Sequence, residues 1–519
     1  MKRRDFLRNA AAASLLPVLI DGYGARAMSR SSAFMRALAG LTTSTDRVLV
    51  LIQLNGGNDG LNTVVPLDQM SRYTSLRSNI ALPEAKVLKL QNNLTSGLHP
   101  AMTGLQQLWN EGKVALVHGV SYPSPNFSHF RSSDIWFTGA DSNKTLTSGW
   151  MGRYLDKRFP NYPDAYPNAQ MPDPLAIQIG AVTSTTLLGP NRSMAIALQN
   201  PDTFAQLVGD KASAVADPLP NTSAGRNVAF IRQQQLSSVE YAGQIKVAAG
   251  KGKNQVTYPT GNALADQLKI VARLIHGGLQ TKVYYVSIGG FDTHANQATG
   301  ADTTVGTHAT LLKNLSDAIK IFQDDLKAMK LEDRVAGMTF SEFGRRAVSN
   351  NSLGTDHGAA APLFVFGSGI KTQIIGKNPD LNDLDNNNIK MQHDFRQVYA
   401  TLLTDWMGEG QGMATDVLSR EFQTVPIFRQ MVTATGSLAE GLRVYPNPAS
   451  DRVVLEADQL EGVRNVQVVD ASGRSQRLPV SRLSDSSLNL DVAHLPDGIY
   501  FVQVETARNR LSGKVLVAH

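Results

Sequence analysis

Five uninterrupted apolar runs constrain the fold of this chain more than any other feature of its sequence. They cover residues 47–54, 114–120, 282–288, 334–340 and 362–366. Runs without polar alternation are typical of strands that are covered on both faces, as in parallel sheets. Helical i, i+3, i+4 apolar spacing occurs in segments 262–276, 307–330 and 395–406. The pattern predicts an α/β domain with a doubly wound, mainly parallel sheet over residues 44–432.

The composition is that of a folded protein with about two to four domains. The chain has 519 residues, of which 42% are hydrophobic and 18% are charged. It contains no cysteine, which excludes disulfides, iron–sulfur clusters, thiolate zinc sites and a cysteine nucleophile. Any metal must therefore be held by nitrogen and oxygen ligands. Within the central domain, segment 160–260 predicts helices and loops and contains no chemical signature.

Positive charge is concentrated at the start of the chain. The formal net charge is +6, and residues 1–27 carry +3 of it. The sequence has no basic stripe interleaved with aromatic residues, which is the pattern typical of nucleic-acid binding. We therefore expect no nucleic-acid partner.

Residues 1–27 resemble a twin-arginine export signal. The pair Arg3-Arg4 precedes an apolar stretch at 10–20, and small residues at 25–27 provide a cleavage site. The apolar stretch is 11 residues long, whereas a membrane span takes about 20, so a membrane anchor fits poorly. A basic amphipathic surface helix is the other alternative. The resemblance implies export by the twin-arginine translocase and no integral membrane segment in the mature protein.

The sequence pattern changes from helical to strand-like near the end of the chain. A small-residue linker at 433–441 precedes short apolar runs over 442–519, with turn signals at 470–473 and 496–498. This spacing predicts a small antiparallel β-sandwich. The segment has no net charge and no carboxylate–histidine cluster. A second linker is predicted at 28–43, before the central domain.

Four motifs in this tail resemble the type IX secretion sorting domain. They are VYPNP at 444–448, DASGR at 470–474, LPDGIYFV at 495–502 and KVLV at 514–517. The resemblance implies that the type IX secretion machinery reads the tail. It also implies transit through the periplasm to the cell surface or the extracellular space. A sugar- or partner-binding β-sandwich is the alternative interpretation.

Polar segments follow four of the five predicted central strands, and two more lie near later elements. The six segments are NGGNDG at 55–60, Ser128-His129, GGFDTH at 289–294, SEFGR at 341–345, GTDHG at 354–358 and QHD at 392–394. Because the carboxyl ends of parallel strands share one edge of a sheet, we expect these segments to converge on one cleft.

These segments supply carboxylates and imidazoles suited to metal binding. The candidate ligands are Asp59, Asp292, His294, Asp356, His357 and His393, with His308 at the start of a helix as a further candidate. The set predicts divalent metal ions, with zinc, manganese and calcium as candidates. Two ions about 4 Å apart can bind one phosphoryl or sulfuryl group and stabilise its leaving oxygen.

Each candidate also has a purely structural explanation. Turn or cap roles fit the aspartates. Simple packing fits His308, and an exposed position before a helix fits His393. A buried salt bridge explains Glu342 and Arg345 as well as substrate binding does.

Taken in order, the central motifs resemble the bacterial family called domain of unknown function 1501. They are LNGGNDGLN at 54–62, SHF at 128–130, GFDTH at 290–294, SEFGR at 341–345 and GTDHG at 354–358. That family is similar to the alkaline phosphatase and sulfatase superfamily, whose members use a doubly wound sheet and two metal sites. The similarity implies four ligand groups: Asp59 as an early carboxylate, Asp292 with His294 for one ion, Asp356 with His357 for the other, and His393 as a late ligand.

The resemblance leaves the nucleophile open. The superfamily places it at the start of a helix that ends in Thr-Gly, and residues 138–139 supply a similar end. Counting back without a gap reaches His129, whereas a shift of one residue reaches Ser128. Either Ser128 attacks, or it is only the helix N-cap, or the covalent nucleophile is absent. The spacing from Asp292 to the next histidine is shorter than in phosphatases, and His308 is a candidate replacement ligand.

Two functions from different classes follow. The first is an exported, metal-dependent hydrolase of phosphate or sulfate esters, acting on a small-molecule or glycan ester. Its catalytic candidates are Ser128, His129, Arg131, Glu342 and Arg345, with either arginine as an electrostatic partner of the transferred group. The alternative is a non-catalytic cell-surface binding protein that keeps the fold. A catalytically inert partner in a complex is a third interpretation.

Overall fold

The computed structural model describes most of the chain. The described residues are 18–20, 23–25, 46–169, 171–208, 222–429, 442–457, 460, 462–470, 475–476, 478–506 and 510–519. They fall into two compact units. One unit is Ser44–Arg429, and the other contains the C-terminal strands.

Three segments predicted from the sequence lie largely outside the described residues. Of the predicted export signal at 1–27, only two short paired strands are described, Val18–Ile20 and Tyr23–Ala25. The predicted linkers at 28–43 and 433–441 lie wholly outside. The boundaries of these segments therefore stay predictions.

A nine-stranded sheet forms the centre of the first unit. Its strands are β1 (Val48–Leu54), β2 (Val114–Ser121), β3 (Ala176–Ile179), β4 (Ala195–Leu198), β5 (Val283–Ile288), β6 (Val335–Phe340), β7 (Ala361–Gly367), β8 (Gln373–Ile375) and β9 (His393–Asp394). The order across the sheet is β8-β2-β7-β6-β1-β5-β3-β4, and β9 also pairs with β2.

The sheet is mainly parallel. Only β7 runs against its neighbours, β6 and β2. The central strand β1 is parallel to both β5 and β6, and its Leu51 lies opposite Tyr285 and Met338. These three side chains are buried, as expected for a sheet covered on both faces. The predicted α/β fold is confirmed, together with the five strands expected from the apolar runs.

One prediction about the sheet was wrong. Segment 160–260 was expected to form helices and loops, yet it contains β3 and β4, which extend the sheet beyond β5. Each of these strands has only four residues. A run this short is too brief for apolar periodicity to separate strand from loop.

Helices surround the central sheet and connect its strands. The α-helices are Gly60–Thr63, Met70–Leu76, Thr103–Asn110, His129–Thr138, Trp150–Arg158, Pro201–Val208, Ser223–Lys251, Ala263–His276, Thr307–Ala328, Phe395–Thr401 and Gln411–Leu418. Leu402–Trp406 is a π-helical segment, and 3₁₀ turns cover Leu67–Gln69, Glu84–Lys86, Thr185–Leu187 and Glu332–Arg334. Within the described part of the chain, no helix is both long enough and apolar enough to cross a membrane.

Two small antiparallel sheets lie outside the central one. One is formed by Val64–Pro66, Leu88–Lys89 and Ser96–Leu98. The other is a hairpin of Gly344–Ser349 and Thr355–Gly358, called the site hairpin below. It follows β6 directly and therefore begins at the carboxyl edge of the central sheet.

Local sequence signals explain where two of the predicted helices begin. The Asn262 side chain accepts a hydrogen bond from the Ala265 amide and caps the helix Ala263–His276. Asp394 and Gln397 form a reciprocal capping box at the start of Phe395–Thr401. These caps fix where each helix leaves the sheet.

The second unit contains two four-stranded antiparallel sheets. One has the order Arg443–Tyr445, Arg452–Glu456, Ser487–Asp491 and Val480–Ser484; the other has Ser475–Gln476, Asn465–Asp470, Gly498–Glu505 and Arg510–Val517. Alternate residues, including Val453, Leu490 and Val502, form a separate buried core. The predicted antiparallel sandwich is confirmed.

Gly337 in β6 provides a test of packing in the central sheet. A Cβ at this position would lie 2.1 Å from the Phe366 ring, so Gly337→Ala should lower the free energy of unfolding by about 1–3 kcal/mol through overpacking. Thermal unfolding followed by circular dichroism measures the change.

Gly243→Ala is the matched control, because Gly243 lies in the helix Ser223–Lys251 with nothing within 4 Å of an added Cβ. That change should raise stability by about 0.5–1 kcal/mol. Equal melting temperatures for the two variants would contradict the packing assigned to β6.

Candidate metal centre

Segments from three strand ends and the site hairpin meet at the carboxyl edge of the central sheet. Asp292 and His294 follow β5, and Glu342 follows β6. His129 begins the helix that comes after β2. His357 lies on the second strand of the site hairpin. The convergence predicted from the topology brings these five residues together.

Asp292 lies at the centre of this group. Its Oδ1 lies 3.2 Å from His294 Nε2 and 3.3 Å from His357 Nε2. Its Oδ2 lies 3.4 Å from His129 Nε2. His294 Nε2 and His357 Nε2 are themselves 2.9 Å apart. These four residues are called the Asp–His cluster below.

Each imidazole of the cluster has an oxygen acceptor at its other ring nitrogen, Nδ1. The acceptors are the Phe127 carbonyl for His357 at 2.7 Å, the Glu342 carboxylate for His129 at 2.9 Å and the Asp356 carboxylate for His294 at 3.4 Å. An imidazole that donates from Nδ1 to such an acceptor has its other ring nitrogen, Nε2, unprotonated. In that tautomer the Nε2 lone pairs of all three rings face the same Asp292 carboxylate.

The Nδ1–H tautomers would concentrate lone pairs at one point, because two unprotonated nitrogens 2.9 Å apart repel each other unless a proton or a metal ion lies between them. Metal-ligating histidines commonly donate the other ring N–H to a carboxylate or a carbonyl, and each of the three Nδ1 atoms lies beside such an oxygen. Among the described residues, His129, Asp292 and His357 form one possible metal site, with their ligand atoms within 4.8 Å of one another.

Arg345 fixes the position and charge of Asp292. Its guanidinium is fully buried, and Nη2 donates to Asp292 Oδ1 at 2.7 Å. Partial burial raises the pKa of Asp292, but the hydrogen bond and charge of Arg345 outweigh it, so the pKa lies below its usual value. Burial also lowers the pKa of His357. The cluster therefore combines an ionised carboxylate with a His357 ring whose neutral form is favoured.

Two glycines allow the turn after β1 to approach the cluster closely. Gly56 has φ +126°, and a Cβ there would lie 2.3 Å from the Asp292 amide nitrogen. Gly57 has φ +84°, and a Cβ there would lie 2.2 Å from the Phe343 ring. The Gly56 amide donates to buried Glu342 at 2.9 Å. Glu342 is thereby held where it also contacts His129.

Asp59 is buried in an ion pair below the cluster. Arg77 Nη1 donates to its two oxygens at 3.0 and 2.7 Å, and neither side chain is more than 1% exposed. Burial alone raises the pKa of Asp59, but the charge of Arg77 helps to bring it below its usual value. The carboxylate expected as an early metal ligand thus has a cationic side chain as its partner.

Gln297 connects Asp59 to the loops that carry the cluster. Its Nε2 donates to the Asp59 carboxylate. Its Oε1 accepts from Thr293 Oγ1 at 3.1 Å and from Thr355 Oγ1 at 2.9 Å. Thr293 lies between two cluster residues, and Thr355 lies two positions before a third. Gln297 therefore positions both loops from beneath the cluster.

His308 also belongs to this buried layer. Its Nε2 lies 3.0 Å from Asn58 Oδ1, and its Nδ1 has no hydrogen-bond partner among the described residues. Burial lowers the pKa of His308 to about 4, so the ring is neutral at physiological pH. The side-chain hydrogen bond of His308 is thus with the turn after β1, and its ring packs edge-on against His99 and Phe291.

Three further candidates lie outside the cluster. Ser128 is the exposed N-cap residue, and its side chain makes no capping hydrogen bond. Arg131 pairs with Asp134 and donates to backbone carbonyls of the loop after the same helix. His393 Nδ1 lies 3.0 Å from the His118 carbonyl oxygen. The structure therefore groups His129, but not Ser128, with the acids and histidines.

Three further parts of the site could not be predicted from the sequence: Arg77, Gln297 and the Phe127 carbonyl oxygen. Arg77 and Gln297 lie outside every motif, and the contacts of Gln297 with Thr293 and Thr355 span four and 58 positions. A backbone carbonyl carries no residue-type signal at all. The acid–histidine motifs, in contrast, could be found from the sequence, because residues of the cluster are part of them.

The sequence profile of the family described as "Protein of unknown function (DUF1501)" matches residues 46–424. The chain belongs to this family. A second profile, described as a secretion system C-terminal sorting domain, matches residues 443–518. The sorting domain marks the protein for export to the cell surface or the extracellular space. No curated protein sequence matches the chain.

Several solved structures are similar to the chain at low sequence identity. A sulfatase, PsFucS1 from Pseudoalteromonas sp., is 11% identical over 92% of this chain and 87% of its own, with a TM-score of 0.33. A protein in the alkaline phosphatase superfamily from Vibrio parahaemolyticus is 8% identical over 89% and 90%, with a TM-score of 0.32. A phosphonate monoester hydrolase from Silicibacter pomeroyi is 8% identical over 90% and 88%, with a TM-score of 0.30.

Replacing Arg77 with methionine tests the buried ion pair. The variant keeps the Asp59 carboxylate buried without its cation, so we expect a loss of about 3–5 kcal/mol in the free energy of unfolding at pH 7. In the wild type the folded-state pKa of Asp59 is lowered. Its contribution to stability is therefore present above about pH 4 and is lost as the pH falls through the folded-state value.

In Arg77→Met, uncompensated burial raises the pKa of Asp59, so the variant loses stability as the pH rises above about 4. The stability gap between wild type and variant should widen from pH 4 to pH 7 in urea titrations. The double variant Asp59→Asn/Arg77→Met removes both charges and should recover part of the loss. A gap independent of pH would contradict this role.

Proposed function

We propose that this protein is an exported hydrolase of phosphate or sulfate esters that uses one metal ion held by the Asp–His cluster. One observation carries the proposal. The His129, His294 and His357 rings present Nε2 to Asp292, while each Nδ1 faces an oxygen acceptor. The reaction class comes from the resemblance of the central motifs to the alkaline phosphatase and sulfatase superfamily.

The donor set suits some of the candidate ions better than others. Three imidazoles and one carboxylate match the nitrogen and oxygen ligands preferred by zinc and other first-row transition ions, including manganese. Calcium takes six to eight oxygen ligands, and three imidazoles do not supply them. We therefore infer zinc or manganese at this site.

A bound divalent ion supplies Lewis-acid charge that polarises a phosphoryl or sulfuryl oxygen. The chain itself orients the ligands. Glu342, Asp356 and the Phe127 carbonyl hold the three rings through Nδ1. Arg345 holds Asp292 and keeps it ionised. Preorganised ligands of this kind need little rearrangement when substrate binds.

Ser128 is the candidate for a covalent nucleophile. It directly precedes His129 in sequence, and its side chain is exposed at the start of the helix. The hydroxyl makes no hydrogen bond among the described residues, so no general base contacts it. Attack by water is the alternative within the same proposal, and a Ser128 variant separates the two.

The Ser128 hydroxyl, unpartnered among the described residues, and the Asp59–Arg77 ion pair favour a second candidate function, a non-catalytic surface protein that binds a metal ion. A hydrolase with a serine nucleophile needs a base or a metal beside the hydroxyl. Asp59, expected as an early metal carboxylate, has Arg77 as its partner. One ion without an activated hydroxyl is compatible with binding alone.

Metal content tests the cluster. We expect wild type expressed without its export signal to contain about one zinc or manganese ion per chain by elemental analysis. His357→Ala and Asp292→Ala should each lower occupancy by more than half, because each removes a ligand. His494→Ala, which changes an exposed histidine of the C-terminal unit, should leave it unchanged. No bound ion after dialysis against zinc and manganese would contradict the proposal.

Turnover tests the reaction class. Metal-loaded wild type should hydrolyse 4-nitrophenyl phosphate or 4-nitrophenyl sulfate, and chelation should abolish the rate. Ser128→Ala should lower kcat by at least about 100-fold if its hydroxyl attacks, and should change it little if water attacks. A fully metal-loaded protein that cleaves neither ester, nor a panel of other phosphate and sulfate esters, would favour the binding protein.

A further inference from the structure

A groove of about 440 Å³ opens beside the Asp–His cluster. Its lining includes Tyr122 and Phe127 from the loop after β2, Arg346 from the site hairpin, and residues 385–386 and 388–391. Phe127 joins the groove to the cluster, because its carbonyl oxygen accepts from His357 Nδ1 at 2.7 Å. A ligand in this groove therefore lies next to the cluster without replacing any of its residues.

Arg346 gives the groove an available positive charge. Its side chain is exposed, and no carboxylate among the described residues lies within ion-pair distance of it. The hydrogen bond from Asn350 lowers the pKa of Asp356, and the charges of His294 and Arg346 act in the same direction. That carboxylate is already bonded to Asn350 and His294. The Arg346 guanidinium is thus free to pair with an anion from solution.

Lys390 differs from Arg346 in this respect. Its ammonium also belongs to the groove lining but is paired with Asp383. The unpaired cation of the groove, within the part of the chain that the structure describes, is therefore Arg346.

Asp385 provides a second, independent feature of the groove. It is an exposed residue of the lining, and its carboxylate lies in no ion pair among the described residues. One of its oxygens accepts from Asn386 Nδ2 at 3.2 Å. A carboxylate accepts further hydrogen bonds, and ionised phosphate, sulfate and carboxylate groups have no proton to donate to it. A ligand that carries hydroxyl groups as well as a negative charge supplies that donor.

Another part of the lining is apolar and partly aromatic. Phe127 is 38% exposed and Met391 is 40% exposed, beside Tyr122 and Pro125. Such surfaces pack well against the C–H face of a ring that carries hydroxyls at its edge. A ligand with a flat apolar face, hydroxyl donors and a negative charge matches all three features.

We propose that this groove binds an anionic saccharide, with Arg346 pairing a negative group of the sugar. The groove would hold the sugar alcohol of the ester, and the ester itself would lie at the cluster. The placement of the ester rests on the proposed function, whereas binding of the saccharide does not. The predicted substrate class is therefore a phosphate or sulfate ester of a sugar that carries a second acidic group.

Calorimetric titration of the full chain with digalacturonate and with its carboxyl-reduced form tests the charge requirement. We expect the acidic disaccharide to bind at least tenfold more tightly than the neutral one. Arg346→Ala should abolish that difference, and because the side chain is exposed the fold should be retained. Lys327→Ala removes an equal charge from an exposed position on the helix Thr307–Ala328 and should preserve the difference.

Asp385→Ala should weaken binding of the neutral disaccharide severalfold, since that ligand contains hydroxyl donors and no charge for Asp385 to repel. Equal affinities of wild type for the two disaccharides, or binding of neither, would overturn the proposal. So would an Arg346→Ala variant with unchanged preference. Selective binding without hydrolysis of any ester would leave the groove assignment standing and refute only the proposed reaction. Hydrolysis of an ester without binding of either disaccharide would refute the groove assignment and leave the reaction standing.

Discussion

The buried guanidinium of Arg345 is the interaction on which the rest of the site depends. It donates to the carbonyl oxygens of Gly56 and Gly57 in the turn after β1 and to that of Phe291 in the loop after β5. It also donates to the Thr355 carbonyl within the site hairpin. A single side chain thus joins three backbone segments and still reaches Asp292. Because a buried charge needs partners for its donors, the loops and the cation stabilise each other.

The position of this cation follows from the sheet. β1, β5 and β6 are adjacent and parallel, so their carboxyl ends deliver the Gly-rich turn, the Asp292 loop and the Glu342 segment to one edge. A second buried cation, Arg77, lies one layer below and neutralises Asp59. Gln297 links this lower layer to the cluster through Thr293 and Thr355. The Asp–His cluster is thereby supported on a network of buried polar contacts.

Much of this arrangement could be predicted from the sequence. The long apolar runs specify β1, β2, β5, β6 and β7, because burial on both faces leaves a strong composition signal. The acid–histidine motifs also mark the cluster, because Asp292, His294 and His357 are themselves part of these motifs. The short strands β3 and β4 escaped prediction, because four residues do not establish a period.

Which carboxylate would pair with a buried arginine alone, and which would also face the imidazoles, could not be predicted. Asp59 and Asp292 both follow strands and both lie near glycines, yet Arg77 pairs with the first and Arg345 leaves the second in reach of three imidazoles. That difference depends on which distant cation reaches each site. Motif spacing carries no information about it.

The proposed binding of a single ion by three imidazoles and one aspartate is tested most directly by X-ray absorption at the zinc edge of the zinc-loaded protein. Such a site predicts a first shell of nitrogen and oxygen atoms at about 2.0–2.2 Å, with outer-shell scattering from about three imidazole rings. A shell of oxygen atoms with at most one imidazole would contradict the assignment of His129, His294 and His357 as ligands.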